Sequence, residues 1–158
     1  MTGRGSKQKG NVFERTVAKM ILKAAGPKFK ASDCYRTPLS GGHPIASSGD
    51  LVLSRRLAKT FPFVVECKHR KTFHMRRVFF PGETFGAYLD QTIKAAKKER
   101  RPPLLVIRGN GTQVLCVTDE EYVSEMPYLT FYHGGVTWAA CLFKTFLARW
   151  FPPSPEVV

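Results

Sequence analysis

The chain is poor in the features that would place it among zinc-binding, secreted or disulfide-linked proteins. Among its 158 residues there are only four cysteines, far apart and with no CxxC pair, which argues against a structural zinc site. No secretory signal precedes the first predicted element, so we expect a cytoplasmic protein with reduced thiols. The cysteines are Cys34, Cys67, Cys116 and Cys141.

Long hydrophobic runs are also missing. The longest apolar stretch, 136–151, is too short to cross a bilayer and contains Lys144 and Arg149. We therefore expect no association with a membrane. A hydrophobic fraction of 43% with 12 phenylalanines instead indicates a globular protein with a packed core.

Acidic residues are few, and the balance of acidic and basic residues differs along the chain. The chain has 25 Lys and Arg against 12 Asp and Glu, a formal net charge of +13. Residues 1–101 hold 22 of the basic and 7 of the acidic residues, so the last third is slightly acidic. Such a distribution favours binding of a polyanion by one part of the molecule.

The few acidic residues include two in the stretch 48–68, SGDLVLSRRLAKTFPFVVECK. Its β-prone runs, 50–54 and 61–68, flank the basic segment 55–60 and predict a hairpin. A hairpin folded about position 58 would place Asp50 opposite Glu66. Because side chains alternate along a strand, Glu66 and Lys68 would share one face.

These groups suit metal-dependent phosphodiester chemistry. The carboxylates of Asp50 and Glu66, with the Cys67 carbonyl, would supply the hard oxygen ligands that Mg²⁺ prefers. Lys68 could orient a water or stabilise charge on a phosphate. The alternative is an exposed ion pair on a sheet edge, which contributes little to stability.

Upstream, the apolar spacing predicts a helix from an Asn11 N-cap to the Gly26–Pro27 stop. Glu14 could complete a capping box with Asn11, or it could reach the metal site. A strand over 29–37 leads into a loop rich in Gly, Ser and Pro, which could approach a phosphate closely or be an ordinary connection.

Four segments follow one another along the chain in the order GNVFER, YRTPLSGG, SGDLVLS and VVECK. Together they resemble the archaeal-type Holliday junction resolvases of the PD-(D/E)xK nuclease superfamily. The resemblance covers residues 10–70 and implies a restriction-endonuclease-like α/β fold, a mixed central β-sheet flanked by helices. It implies an endonuclease that cleaves four-way DNA junctions as a homodimer, using Mg²⁺ with Mn²⁺ as a substitute. By position it assigns catalytic roles to Glu14, Ser40, Asp50, Glu66 and Lys68, metal ligation to Glu14, Asp50 and Glu66, and DNA contacts to Arg15, Arg36 and Ser40.

The segment 69–80 interleaves basic and aromatic residues that could contact phosphates and stack on unpaired bases, or could form a long loop with its aromatics in the core. Its candidate DNA contacts are Arg70, Lys71, Arg76 and Arg77.

Further predicted elements are a helix over 83–101, on which Gln91 is a candidate auxiliary, a hairpin of 104–107 with 114–117, and a helix over 138–151. The last helix is apolar around most of its circumference, which suggests a subunit interface. The residues proposed for that interface are Trp138, Leu142, Phe143, Phe146 and Trp150. We expect a flexible basic arm over 1–10, one nuclease domain over 11–151 and a tail over 152–158.

Two rival functions stay open. Another PD-(D/E)xK nuclease, such as a flap, nicking or restriction-type enzyme, needs the same acidic and lysine residues. A non-catalytic structural DNA-binding protein would share the basic charge, but carboxylates in a DNA-binding face repel phosphate unless a cation intervenes.

Overall fold

The structure, a computed structural model, describes residues 3–38, 48–74, 76 and 82–153. Its helices are α1 (Gly3–Ala25), α2 (Arg55–Thr60), α3 (Glu83–Glu99) and α4 (Phe143–Trp150). Its strands are β1 (Cys34–Arg36), β2 (Leu51–Leu53), β3 (Val64–Arg70), β4 (Pro103–Gly109), β5 (Leu115–Asp119), β6 (Leu129–His133) and β7 (Val136–Leu142).

The central sheet has five strands in the order β3-β4-β5-β7-β6. Strands β3 and β4 run parallel, and the other neighbouring pairs are antiparallel. A separate two-stranded sheet joins β1 to β2. The mixed sheet with helices on both faces confirms the predicted restriction-endonuclease-like α/β fold.

The core has two layers, one on each face of the sheet. Helices α1 and α4 pack with residues such as Val65, Leu104 and Val106, whereas α3 packs with Leu105 and Ile107. Because consecutive residues of β4 are buried on opposite faces, the strand reads as a continuous apolar run instead of an alternating one.

The predicted hairpin over 48–68 is wrong. Segment 55–60 forms helix α2, because the Ser54 hydroxyl accepts a hydrogen bond from the Leu57 N–H and caps the helix, while Leu57 is fully buried. Strand β2 pairs with β1, so β3 is free to pair with β4. β3 also begins only at Val64.

Helix α1 begins at Gly3 and extends for 23 residues, so Asn11 is interior to it and not an N-cap. Residues 3–10, expected to form a flexible arm, are therefore part of the helix. A capping role for Glu14 is excluded, because the first turn lies well upstream. The helix does end before Gly26, as predicted.

The C-terminal region also differs from the prediction. Residues 136–142 form β7, which pairs with the unexpected strand β6, and the terminal helix starts only at Phe143. Both faces of the sheet are covered, so β7 is apolar on both sides and resembles a helix in sequence. The helix α3 and the β4–β5 hairpin are confirmed.

Because of this different secondary structure, most of the residues proposed for a dimer interface are not at the surface of the chain. Trp138, Phe143 and Phe146 are fully buried inside the single chain. Trp150 packs against the same core, through rings that include Phe61 and Phe63. Of the five proposed residues, Leu142 alone is substantially exposed, at 41%.

All four cysteines are buried and free. Cys116 and Cys141 face one another across β5 and β7, with their sulfur atoms 3.4 Å apart. None of the helices in the described part of the chain is both long and apolar enough to traverse a bilayer.

Candidate active site

The site forms where Asp50 docks against the outer edge of β3. The Asp50 N–H donates to the Val65 carbonyl at 2.8 Å, and the Asp50 carboxylate accepts from the Cys67 N–H at 2.7 Å. Gly49 makes this approach possible, since a Cβ at that position would lie 2.5 Å from the Val65 oxygen. Asp50 is thereby held beside Glu66. The hairpin hypothesis also predicted this proximity, but from a strand pairing that does not exist.

Glu66 is the buried centre of the cluster, with 1% of its surface exposed. Its Oε1 accepts a hydrogen bond of 2.8 Å from Lys68 Nζ, two residues along the same strand face. The same oxygen accepts a hydrogen bond of 2.5 Å from Gln91 Nε2 on α3. The two donors hold the carboxylate in one orientation.

Glu14 approaches the cluster from α1, and its carboxylate accepts a hydrogen bond of 2.5 Å from Arg36 Nε on β1. The charges of Asp50 and Lys68 both act on Glu14. Arg36 Nη2 is buried and has no hydrogen-bond partner among the described residues.

Burial and mutual repulsion shift the protonation of this cluster. Burial, followed by the charge of Asp50, raises the pKa of Glu66 above its ordinary value, although Lys68 opposes the shift. Burial and Asp50 likewise raise the pKa of Glu14, against the effect of Arg36. A cation bound between these carboxylates would offset their repulsion and lower the pKa of each.

The donor set fits a hard divalent ion. Mg²⁺ uses one or two carboxylates and retains several waters, and Asp50 and Glu66 supply those carboxylates. Among the described residues, no three His, Cys, Asp or Glu side chains are grouped so that they could hold a metal. The Glu14 carboxylate is paired with Arg36.

Cys67 could contribute only its backbone. Its thiol is buried in the core on the face of β3 opposite Glu66, and that burial raises its pKa well above the ordinary value. The N–H and C=O of one strand residue point to the same side, and the Cys67 N–H faces Asp50. The Cys67 carbonyl consequently lies on the Asp50 side of β3.

The predicted DNA contacts occupy different environments. Arg15, Arg70, Lys71 and Arg76 are exposed, while Arg36 is engaged with Glu14. The guanidinium of Arg70 lies 4.8 Å from the centre of the Tyr88 ring. Two predicted residues, Ser40 and Arg77, lie outside the described residues.

Two residues that contact the site have a larger role than the sequence indicated. Gln91, considered only as a possible auxiliary, contacts Glu66 directly. Tyr88, assigned simply to the buried side of its helix, has its ring 5.5 Å from Lys68 Nζ. Tyr88 and Gln91 are three residues apart on α3, so both lie on one face of the helix. This spacing is the sequence feature that could have identified them together.

Comparison with known proteins identifies a family that most of the chain matches. Residues 5–139 match the family described as "Phage putative PDDEXK endonuclease", and this span includes Glu14, Asp50, Glu66, Lys68 and Gln91. No curated protein and no solved structure gives a significant match. The match covers most of the chain, and the protein therefore belongs to this PDDEXK endonuclease family.

Proposed function

We propose that the protein is a Mg²⁺-dependent, structure-selective DNA endonuclease that cleaves four-way junctions as a homodimer, with Mn²⁺ as a substitute ion. The observation that carries the proposal is the convergence of Asp50, Glu66 and Lys68 at one edge of β3. Family membership supports a nuclease, and the preference for junctions rests on the resemblance of the four sequence segments.

Each residue of the cluster has a separate role in the proposed reaction. Asp50 and Glu66 would hold the ion, and Gln91 with Lys68 fixes the Glu66 carboxylate that faces it. A bound Mg²⁺ would polarise the scissile phosphodiester and lower the pKa of a coordinated water. Lys68 carries three N–H donors, of which one reaches Glu66, so others are available for the attacking water or a phosphate oxygen.

Arg36 provides a second cation near the phosphate. Its Nε binds Glu14 and its Nη2 is buried, so Arg36 would act on a phosphate through its positive charge and not through an open donor. Exposed Arg15, Arg70 and Lys71 would contact neighbouring phosphates. The excess of positive charge in residues 1–101 favours this backbone-led binding.

A nicking or flap endonuclease is the competing proposal. The buried positions of Trp138, Phe143 and Phe146 remove the main sequence argument for a dimer interface on the last helix. A chain that acts as a monomer would place one catalytic cluster on its substrate and cut one strand per encounter.

The deciding experiment compares a four-way junction with a linear duplex, a flap and a fork of matched sequence. Each substrate is incubated with the protein in Mg²⁺, in Mn²⁺ and in EDTA. The proposal expects paired, symmetry-related cuts in the junction with either ion and none in EDTA. Preferential cutting of the flap or fork would establish the rival nuclease, and cutting that survives EDTA would exclude metal chemistry.

A further inference from the structure

Beside the catalytic cluster lies a cavity that the proposed chemistry does not use. Its volume is ≈ 290 Å³, close to the lower end of small-molecule pockets, about 300 Å³. The lining combines cations, hydroxyls and aromatic rings, a set that matches the parts of a nucleotide. The lining residues are Arg70, Lys71, Thr72, Phe73, Thr84, Phe85 and Tyr88.

Tyr88 connects this cavity to the catalytic residues. Its ring lies 5.5 Å from Lys68 Nζ and 4.8 Å from the Arg70 guanidinium. Lys68 in turn contacts Glu66 at 2.8 Å. Since residues two apart on a strand are about 7 Å from one another, Arg70 lies one step along β3 from the catalytic lysine.

The hydroxyl of Tyr88 supplies an independent indication of a ligand. Tyr88 is 8% exposed, and its oxygen is buried with no hydrogen-bond partner in the described part of the chain. A buried hydroxyl without a partner is costly, and such groups usually acquire a partner from water or a ligand. A phosphate oxygen or a base edge could provide it.

The other lining residues fit the rest of a nucleotide. Phe73 is half-buried, with its ring centre 5.8 Å from that of Phe85, and it offers an aromatic surface to a base. Arg70 and Lys71 are exposed cations for phosphate, and Thr72 and Thr84 add exposed hydroxyls. The acidic residues of the cluster do not line the cavity.

We propose that this cavity binds one unpaired nucleotide of the DNA strand next to the scissile phosphate. The inference rests on the proposed nuclease function and deepens it. It gives a physical basis for selecting branched DNA, because a nucleotide at a branch can leave the base stack at lower cost than one in a continuous duplex.

The test measures binding in EDTA, so that no metal-dependent cleavage interferes. Three labelled DNAs are compared by fluorescence anisotropy with the full chain: a perfect duplex, a duplex with a one-nucleotide bulge, and the same bulge made abasic. The wild type should bind the bulged DNA roughly five-fold or more tightly than either of the others, since one stacked base contributes at least this much.

Phe73→Leu keeps apolar volume but removes the stacking surface, and it should abolish the preference for the bulged DNA. Tyr88→Phe should reduce the preference while leaving the melting temperature unchanged or raised, because the lost hydroxyl has no described protein partner. Tyr128→Ala removes an exposed aromatic ring outside the cavity and should keep the wild-type preference. Circular dichroism establishes that each variant is folded.

Equal affinity of the wild type for all three DNAs would overturn the inference, as would an unchanged preference in folded Phe73→Leu. Binding of the abasic bulge as tightly as the intact bulge would also overturn it, since only a phosphate contact would remain. Cleavage of the four-way junction in Mg²⁺, together with no bulge preference in EDTA, would defeat this inference alone. A bulge preference in EDTA without cleavage of any junction, flap or fork in Mg²⁺ would defeat the proposed nuclease and leave the nucleotide site standing.

Discussion

The carboxylate of Asp50 accepts a hydrogen bond of 2.7 Å from the backbone N–H of Cys67. This bond attaches the aspartate to the strand that carries Glu66 and Lys68. A displacement of the Asp50 backbone would therefore separate the two carboxylates of the proposed metal site.

Gly49→Ala should disrupt this arrangement. The new Cβ would lie 2.5 Å from the Val65 oxygen, so the Asp50 segment must move away from β3. We expect a loss of about 1–3 kcal/mol in the free energy of unfolding, measured by urea denaturation, with cleavage greatly reduced. Gly5→Ala is the matched control, because no atom lies within 4 Å of its Cβ position. Wild-type stability and activity in Gly49→Ala would show that the close approach is unimportant.

Glu66→Gln should stabilise the metal-free protein at pH 7.5. Burial and Asp50 raise the pKa of Glu66 in the folded state, so folding favours its protonated form. The stability contributed by this group is present below its unfolded pKa and is lost as the pH rises through the folded pKa. Glutamine resembles the protonated form at every pH, so its advantage should shrink as the pH falls toward 4.

This stability difference is measured by urea denaturation in EDTA at several pH values. Glu83→Gln is the control, because Glu83 is an exposed carboxylate in the first turn of the helix that carries Gln91. A Glu66→Gln protein that is less stable than wild type at pH 7.5 would show that the Lys68 ion pair outweighs burial.

DNA binding should depend strongly on salt. If about six phosphates are neutralised, the slope of log affinity against log salt should be roughly −5, from about −0.9 per phosphate. Arg70→Glu should weaken binding and flatten this slope, whereas Arg149→Glu, an exposed charge in the net-acidic third, should change both less. A nearly flat salt response in the wild type would contradict backbone-led binding.

The oligomeric state separates the paired-cut and single-cut proposals. Two symmetry-related cuts require two catalytic clusters, which a twofold dimer supplies. Light scattering at micromolar concentration should give twice the chain mass, and Leu142→Glu tests the one substantially exposed residue of the originally proposed interface. A dimer that is unchanged by Leu142→Glu would place the interface elsewhere, and a monomer that makes paired cuts would defeat the dimer proposal.

The sequence was most informative about the candidate site where its residues are adjacent on one strand. Glu66 and Lys68 are two residues apart, so strand alternation alone placed them on one face. The proximity of Asp50 was also predicted, but through a hairpin that does not exist. Its true cause is the packing of Gly49 and Asp50 on β3, which depends on chain segments distant in sequence.

The errors in the fold have a common physical origin. Short apolar segments buried on both sides have no diagnostic period, so 136–142 could be assigned to a helix although it forms β7. Conversely, the polar basic segment 55–60 between two β-prone runs predicts a connection in a hairpin, although Ser54 caps it as the helix α2. The role of Gln91 depended on how α3 crosses β3, which no local pattern specifies.

The central claim is that Asp50 and Glu66 form the catalytic metal site, and cleavage of one junction by matched variants tests it most directly. Wild type, Asp50→Asn, Glu66→Gln and the control Glu83→Gln are compared at equal junction occupancy, with Mg²⁺ and with EDTA. We expect wild type and Glu83→Gln to cleave in Mg²⁺ only, and both site variants to lose cleavage while binding the junction within several-fold of wild type. Wild-type cleavage rates in Asp50→Asn or Glu66→Gln would show that the catalytic site lies elsewhere.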